Sequence, residues 1–277
     1  MNWHRTLDSV ESEPRPQVRQ VMTVSVQVKK KQPSGRIAGL LSWIRAFFFT
    51  DPLICVYTCA FGAASLCGSL FDSHGAWQHR CARAWSSLIL WTSGIRVKVS
   101  GLENIQQKGT VIFCSNHPSA MDIPVLLASL PVQFRFMAKR SLFNIPFLGW
   151  HLWRSGHIPV ERERPHKALR SLDQAAERIR GGSPVVLFPE GTRPRNAGLG
   201  AFKKGSFYLA VKSGAPLIPI TISGSRDILK PDSLHIRSGA VELTIHPPIQ
   251  TSGLALGDVE ALSERVRRQI LSSFGDG

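Results

Sequence analysis

A chain of 277 residues with 43% hydrophobic and 19% charged side chains has globular composition, long enough to bury a sizeable core in one large domain with a small appendage. Its 34 Lys and Arg against 19 Asp and Glu leave a net charge of +15. Such a surface favours anionic partners: nucleic acid, an acidic membrane face or phosphorylated substrates. The five cysteines, odd in number and without a CxxC spacing, exclude a disulfide framework and point to a reducing compartment.

Residues 1–36 mix both charges with prolines and lack an apolar signal core, so they read as a disordered or weakly ordered segment and not as a secretory signal. Val24, Val26 and Val28 alternate like a strand with no identifiable partner. Pro52 to Phe71 then runs uncharged for about twenty residues, enough to span a hydrocarbon core, and "SWIRAFFFT" extends the oily region upstream. Basic residues flank both sides, from Lys29 to Arg45 before and Arg80, Arg83, Arg96 and Lys98 after, so charge sets no orientation for a single crossing. A helical hairpin dipping into one leaflet keeps both flanks on one side. The next stretch, "GAWQHRCARAWSSLILW", fits its return arm: Trp77, Trp85 and Trp91 suit an interface, and Arg80 and Arg83 suit anionic headgroups. Residues 37–93 are therefore expected to form a membrane-embedded or interfacial helical pair, in preference to a buried core helix.

From Gly94 the pattern changes to strands alternating with helices over 94–277. "IRVKVSG", "GTVIFCSN", "QFRFMAKR", "HIPVER", "PVVLF", "PLIPITIS" and "AVELTIHPPI" read as strands. "HPSAMDIPVLLASL", with Pro118 in its first turn, "PHKALRSLDQAAERIRGG" and "KGSFYLAVKSG" read as helices. The close is an amphipathic helix capped by Asp258, with Val259, Leu262, Val266 and Ile270 inward. The expected fold class is α/β, a mostly parallel sheet flanked by helices with an N-terminal two-helix membrane-associated element.

Two polar motifs follow strands, at the sheet edge where ligands gather in such folds. In "NHPSAMD", His117 and Asp122 meet only if His117 lies outside the helix, because five helical residues separate side chains by about 140°. A carboxylate on one imidazole nitrogen fixes the tautomer and makes the other nitrogen a base, able to deprotonate a hydroxyl. Taken alone, His-x4-Asp equally describes a polar turn. "FPEGTR" gathers an acid, a flexible glycine, a hydroxyl and a guanidinium in one turn, followed by Arg195, Lys203 and Lys204. This suits a phosphate monoester, for which arginine offers forked donors and Gly191 allows close backbone approach. Phe143, Phe147, Trp150 and Trp153 either line an acyl groove, touch lipid, or pack as ordinary core. Cys114, at the end of a buried strand, reads as inert and not as a nucleophile.

"NHPSAMD", "MAKRSLFNIPFLGW", "GHIPVER" and "FPEGTR", in this order within about seventy residues, resemble the four-block signature of the 1-acylglycerol-3-phosphate acyltransferase family. "PLIPITISG" resembles its further proline-containing block, and the similarity covers roughly Gly94 to Ile249. The resemblance implies that His117 takes the proton from the acceptor's free hydroxyl while Asp122 orients it. The oxygen would attack the thioester of acyl-CoA or acyl-carrier protein directly, giving phosphatidic acid from lysophosphatidic acid. It further implies that Lys139, Arg162, Glu190, Gly191, Thr192 and Arg193 bind the acceptor, that no cofactor or metal takes part, and that the enzyme works at an anionic membrane on the cytoplasmic face of the inner (plasma) membrane. One departure is Pro159 in "IPVER", which bears on the local strand geometry.

Another lysolipid, such as lyso-ornithine lipid, would leave the His–Asp pair unchanged. A non-catalytic membrane-binding module accounts for the charge and the oily segment but not for the ordered motifs. A nucleic-acid binder accounts for the charge alone, and no nucleic-acid partner is expected.

Overall fold

A computed structural model describes residues 36–72, 74–105, 109–161, 165–196 and 198–274. The weakly ordered segment expected over 1–36, with its Val24–Val28 alternation, lies outside the described residues except for Arg36. Seven strands form one sheet: β1 (Ile95–Ser100), β2 (Ile112–Ser115), β3 (Arg135–Lys139), β4 (Ile158–Val160), β5 (Val185–Leu187), β6 (Leu217–Ser223) and β7 (Gly239–Ile245), in the order β1-β7-β6-β2-β5-β3-β4. All pairs are parallel except β6 with β7. The carboxyl ends of β6, β2, β5, β3 and β4 therefore share one edge of the sheet. Pro159 sits in β4, which pairs only with β3 at the end of the sheet, a position that tolerates a strand residue without an N–H.

The alternation in each strand divides it between two cores. Phe113, Val186, Ile218, Ile220 and Ile222 join one, and Ile112, Cys114, Val185, Leu187 and Leu217 join the other. The first core is closed by α3 (Ala76–Ser93) through Ile89 and Leu90 and by α4 (Asp122–Ser129) through Val125, Leu126 and Leu127. The second is closed by α6 (Pro165–Arg180), α7 (Lys204–Ser213) and α9 (Val259–Ser272). Strands buried on both faces explain why β2, β5 and β6 read as nearly continuous apolar runs.

Two helix starts differ from expectation. Asp122, not Pro118, opens α4, because the Asp122 carboxylate takes the Ser119 N–H at 2.9 Å and holds the preceding residues in a turn. Asp258 bonds back to the Ala255 N–H at 2.8 Å and so braces the short turn Leu256–Asp258; it makes no side-chain cap on α9.

The oily segment is one helix in two parts, α1 (Arg36–Arg45) and α2 (Asp51–Gly68), joined by a π-helical turn at Ala46–Thr50. α3 returns antiparallel to it: the Trp77 indole N–H donates to Ala64 O at 2.9 Å, the Trp85 indole N–H to Thr58 Oγ1 at 3.1 Å, and Tyr57 Oη meets Thr92 Oγ1 at 3.3 Å. Arg83 does not face headgroups as expected. Its guanidinium donates to Leu130 O at 2.9 Å and Ala128 O at 3.5 Å, neutralising carbonyls left over at the end of α4. Gly39–Gly68 spans 30 residues, and only 11% of its most apolar window is buried. It is tied to the sheet domain near both ends. Ser42 Oγ bonds His235 Nε2 at 3.0 Å, with Trp43 stacked on the same ring, and Ser65 Oγ bonds His151 Nδ1 at 2.9 Å. The helix thus runs alongside the domain and does not project away from it.

Candidate active site

β2 ends in a buried side chain that copies a strand pair. Asn116 donates its amide N–H to Ile222 O at 2.9 Å and accepts the Ile222 N–H at 2.7 Å, extending the β2–β6 ladder one step after the backbones part. The next residue, His117, is thereby fixed at the carboxyl edge. Its Nδ1 lies 2.8 Å from Asp122 Oδ2, with the histidine side chain 16% exposed and the aspartate fully buried. A carboxylate oxygen accepts from a ring N–H, so Nδ1 is the donor in this contact and Nε2 is the ring nitrogen outside it. The ring stacks on Phe188 with centroids 3.9 Å apart, and Phe188 in turn lies parallel to Phe136.

The second motif meets the first through Glu190. This buried carboxylate accepts the His117 backbone N–H at 2.8 Å on one oxygen and the Gly200 N–H at 2.7 Å on the other. Burial raises its pKa above the usual glutamate value, and the two backbone donors and His117 hold that rise back. Glu190 therefore joins the "NHPSAMD" and "FPEGTR" segments, which are 73 residues apart at this bond. Gly191 has φ +71°, and a Cβ there would stand 2.8 Å from Lys203 Cε and 3.0 Å from Nζ. The turn is open to a lysine chain only because no side chain fills it. Lys204 points elsewhere, to Glu260 at 2.5 Å. Of the two lysines, Lys203 is the one beside the loop.

Thr192 and Arg193 are exposed beyond Gly191, and Lys139, also exposed, ends β3, the strand next to β5. Arg162 lies outside the described residues. Cys114 is fully buried, and that burial, aided by the nearby Glu190 charge, pushes its thiol far above the ordinary range. A thiolate nucleophile has no support there. Among the described residues no three of His, Cys, Asp and Glu gather as metal ligands.

Sequence reasoning missed Asn116, Ser119, Gly200 and Ser225. Ser119 Oγ donates to Leu229 O at 2.8 Å, and Ser225 Oγ donates to Asp122 Oδ1 at 2.6 Å. Asn116 carried one signal, an amide at the end of a wholly apolar strand. Ser225 carried none, because its partner lies 103 residues earlier. The aromatic run divides between core and surface. Phe143 is core, edge-on to Trp153 at 4.9 Å, while Phe147, Trp150 and Trp153 are 68%, 58% and 46% exposed.

A family model described as Acyltransferase matches residues 96–223, from β1 to the end of β6. A chloroplastic 1-acyl-sn-glycerol-3-phosphate acyltransferase of Brassica napus is 35% identical over 208 residues, 74% of this chain; the chain spans 58% of that relative's length. The 1-acyl-sn-glycerol-3-phosphate acyltransferase of Borreliella burgdorferi is 33% identical over 192 residues, which is 69% of this chain and 77% of that protein. The crystal structure of the 1-acyl-sn-glycerophosphate acyltransferase PlsC from Thermotoga maritima superposes with a TM-score of 0.66 at 26% identity, covering 87% of this chain and 99% of that one. The matched segments take in both polar motifs and the strands that present them, and by this likeness in sequence and fold the chain belongs to the 1-acyl-sn-glycerol-3-phosphate acyltransferase family.

Proposed function

We propose that this protein transfers a fatty acyl group from acyl-CoA or acyl-carrier protein to the free hydroxyl of 1-acylglycerol-3-phosphate, forming phosphatidic acid. The 2.8 Å contact between His117 and Asp122 at the carboxyl edge of the sheet carries this reading. His117 Nε2 takes the hydroxyl proton, and the oxygen attacks the thioester carbonyl. Collapse of the tetrahedral adduct breaks the C–S bond, and the departing thiolate receives the proton back from the imidazolium. No acyl group is carried by the enzyme. The phosphate of the acceptor is held by Lys139, Arg162 and Arg193, with Gly191 and Thr192 offering backbone and hydroxyl donors. Glu190 serves by fixing the loop against His117, since both of its oxygens already accept backbone N–H groups.

The surroundings suit a lipid substrate. Phe47, Phe48 and Phe49 are each more than 60% exposed on the long helix, and α5 (Leu148–Arg154), which carries Trp150 and Trp153, lies beside α2 with Phe147 next to it. We read this as one apolar face resting in an anionic leaflet, with 37–93 as the membrane element, 94–277 as the catalytic domain, and the site at the cytoplasmic side of the inner membrane. The test is an assay of purified protein with lysophosphatidate and labelled acyl-CoA or acyl-carrier protein. Wild type should form phosphatidate, and His117→Ala should lose at least about 100-fold in kcat/KM while keeping its melting temperature. Near-normal turnover by the folded variant would reject the base.

A further inference from the structure

The turn after β6 touches both halves of the site at once. Gly224 has φ +84°, and a Cβ there would stand 2.5 Å from Ala240 O, so glycine is required for the chain to turn into the short helix α8 (Ser225–Ile228). Two adjacent residues are delivered by that turn to separate targets. Ser225, fully buried, donates its hydroxyl to Asp122 Oδ1 at 2.6 Å. The other carboxylate oxygen, Oδ2, is shared by the His117 ring and the Ser119 N–H. Arg226, half-buried, reaches the opposite way. Its Nη1 donates to Pro194 O at 2.7 Å and its Nη2 to Arg195 O, bridging two carbonyls of the segment that follows Gly191, Thr192 and Arg193.

We propose that Ser225 and Arg226 together form a positioning device that couples the His117–Asp122 pair to the acceptor loop. This rests on the acyl-transfer reading given above. A carboxylate with no solvent exposure needs a donor on each oxygen. Without the Ser225 hydroxyl, Oδ1 is left buried and unpaired, and more of the negative charge bears on the two donors at Oδ2, the His117 ring and the Ser119 N–H. An imidazolium held more tightly releases its proton at higher pH, which moves the acid limb of the pH–rate profile upward. Arg226 removes freedom from the loop where the acceptor's phosphate would be read, through its bonds to the Pro194 and Arg195 carbonyls. Loss of that restraint weakens acceptor binding and leaves the proton chemistry in place. Neither residue touches substrate; each acts through a neighbour.

The two arms predict opposite signatures. Ser225→Ala should lower kcat about tenfold to 100-fold, as expected for a lost bond to a charged group, and shift the acid limb upward, with the acceptor KM within about twofold of wild type. Ser225→Thr, which keeps a hydroxyl, should restore the limb. Arg226→Ala should raise the acceptor KM about tenfold with the limb unmoved, and Arg226→Lys should fall between. A readout without turnover accompanies these. Trypsin should cut after Arg195 faster in Arg226→Ala than in wild type, and at the wild-type rate in Ser225→Ala. Melting temperatures separate loss of fold from loss of a bond. The same lowered kcat and raised KM in both variants with no movement of the limb, or no change at all, would overturn the device. An inactive wild type would instead reject the acyl-transfer reading, and the tryptic cut would still decide the Arg226 arm.

Discussion

Glu190 shows how a residue that reads as part of a binding loop serves as a joint. Both of its oxygens accept backbone N–H groups, one of them from His117 itself. Glu190→Gln keeps the shape but turns an NH₂ toward an N–H, leaving one donor unpaired in a buried place. That mismatch should cost about 1–3 kcal/mol and lower the melting temperature by about 3–10 °C. It should also lower kcat/KM more than the stability loss explains, because the His117 backbone loses an anchor. A variant as stable and active as wild type would show that the joint is dispensable. Cys114→Ala makes the complementary case. The thiol is buried and held protonated by its surroundings, so turnover per folded molecule should be unchanged, at a stability cost of about 1–2 kcal/mol for the lost packing. The His–Asp pair was legible because both partners lie in one short motif after a buried strand. Ser225 and Arg226 were not, because their partners are set by the return of β6 beside β2, and spacing along the chain carries no trace of that.

At the level of elements, apolar runs marked the strands, continuous in β2, β5 and β6, which are buried on both faces, and alternating in β1 and β7. The helix α3 was harder to read. Tryptophans and arginines at helical spacing serve a membrane interface or a protein contact equally well, and composition does not separate the two. Ile89 and Leu90 join the sheet's core, and Arg83 closes the end of α4. On α3, Trp77 and Trp91 stay 43% and 77% exposed and join the outward-facing apolar residues of α1, α2 and the α5 region. Phe47, Phe48 and Phe49 are 62%, 64% and 62% exposed, so changing all three to Ser should leave the fold intact. Each phenylalanine buried in the interface contributes on the order of 1 kcal/mol or more, so binding to anionic vesicles should fall at least about tenfold in a sedimentation assay. Unchanged partitioning would mean that another surface meets the bilayer. The helix of 30 residues is about 45 Å long, more than a hydrocarbon core requires. Its two ties to the domain, at Ser42 and Ser65, favour a helix lying in the interface.

For the molecule as a whole, the buried histidines between the helical hairpin and the sheet set the response to acid. His157 Nδ1 accepts the Phe136 N–H at 2.9 Å, so protonation there would destroy a bond made in the core. His79 is buried with Nε2 unpartnered. Burial lowers the pKa of His157 to about 3 and of His79 to about 4, with Arg135 and other nearby positive or titratable groups adding to both shifts. His151, bonded to Ser65, is lowered by burial as well. The unfolded chain therefore binds these protons first. Stability from the three is complete above the unfolded histidine value of 6.5 and is lost as pH falls toward the folded values. Glu190 acts in the opposite sense, since its raised pKa gives stability at low pH that is lost as pH rises through the folded value. His235 and His246 are lowered as well, so lowered histidines outnumber raised carboxyls and decide the sign. Each proton contributes a slope on the order of 1.4 kcal/mol per pH unit. Urea unfolding in detergent should show stability falling steeply from pH 6.5 to 4.5. His157→Asn, which still offers an acceptor to Phe136, should be less stable at pH 7.5 through lost packing yet fall more gently, by up to one proton's slope. A wild-type stability flat across this range, or an unchanged slope in the folded variant, would show that the histidine cluster does not govern acid unfolding.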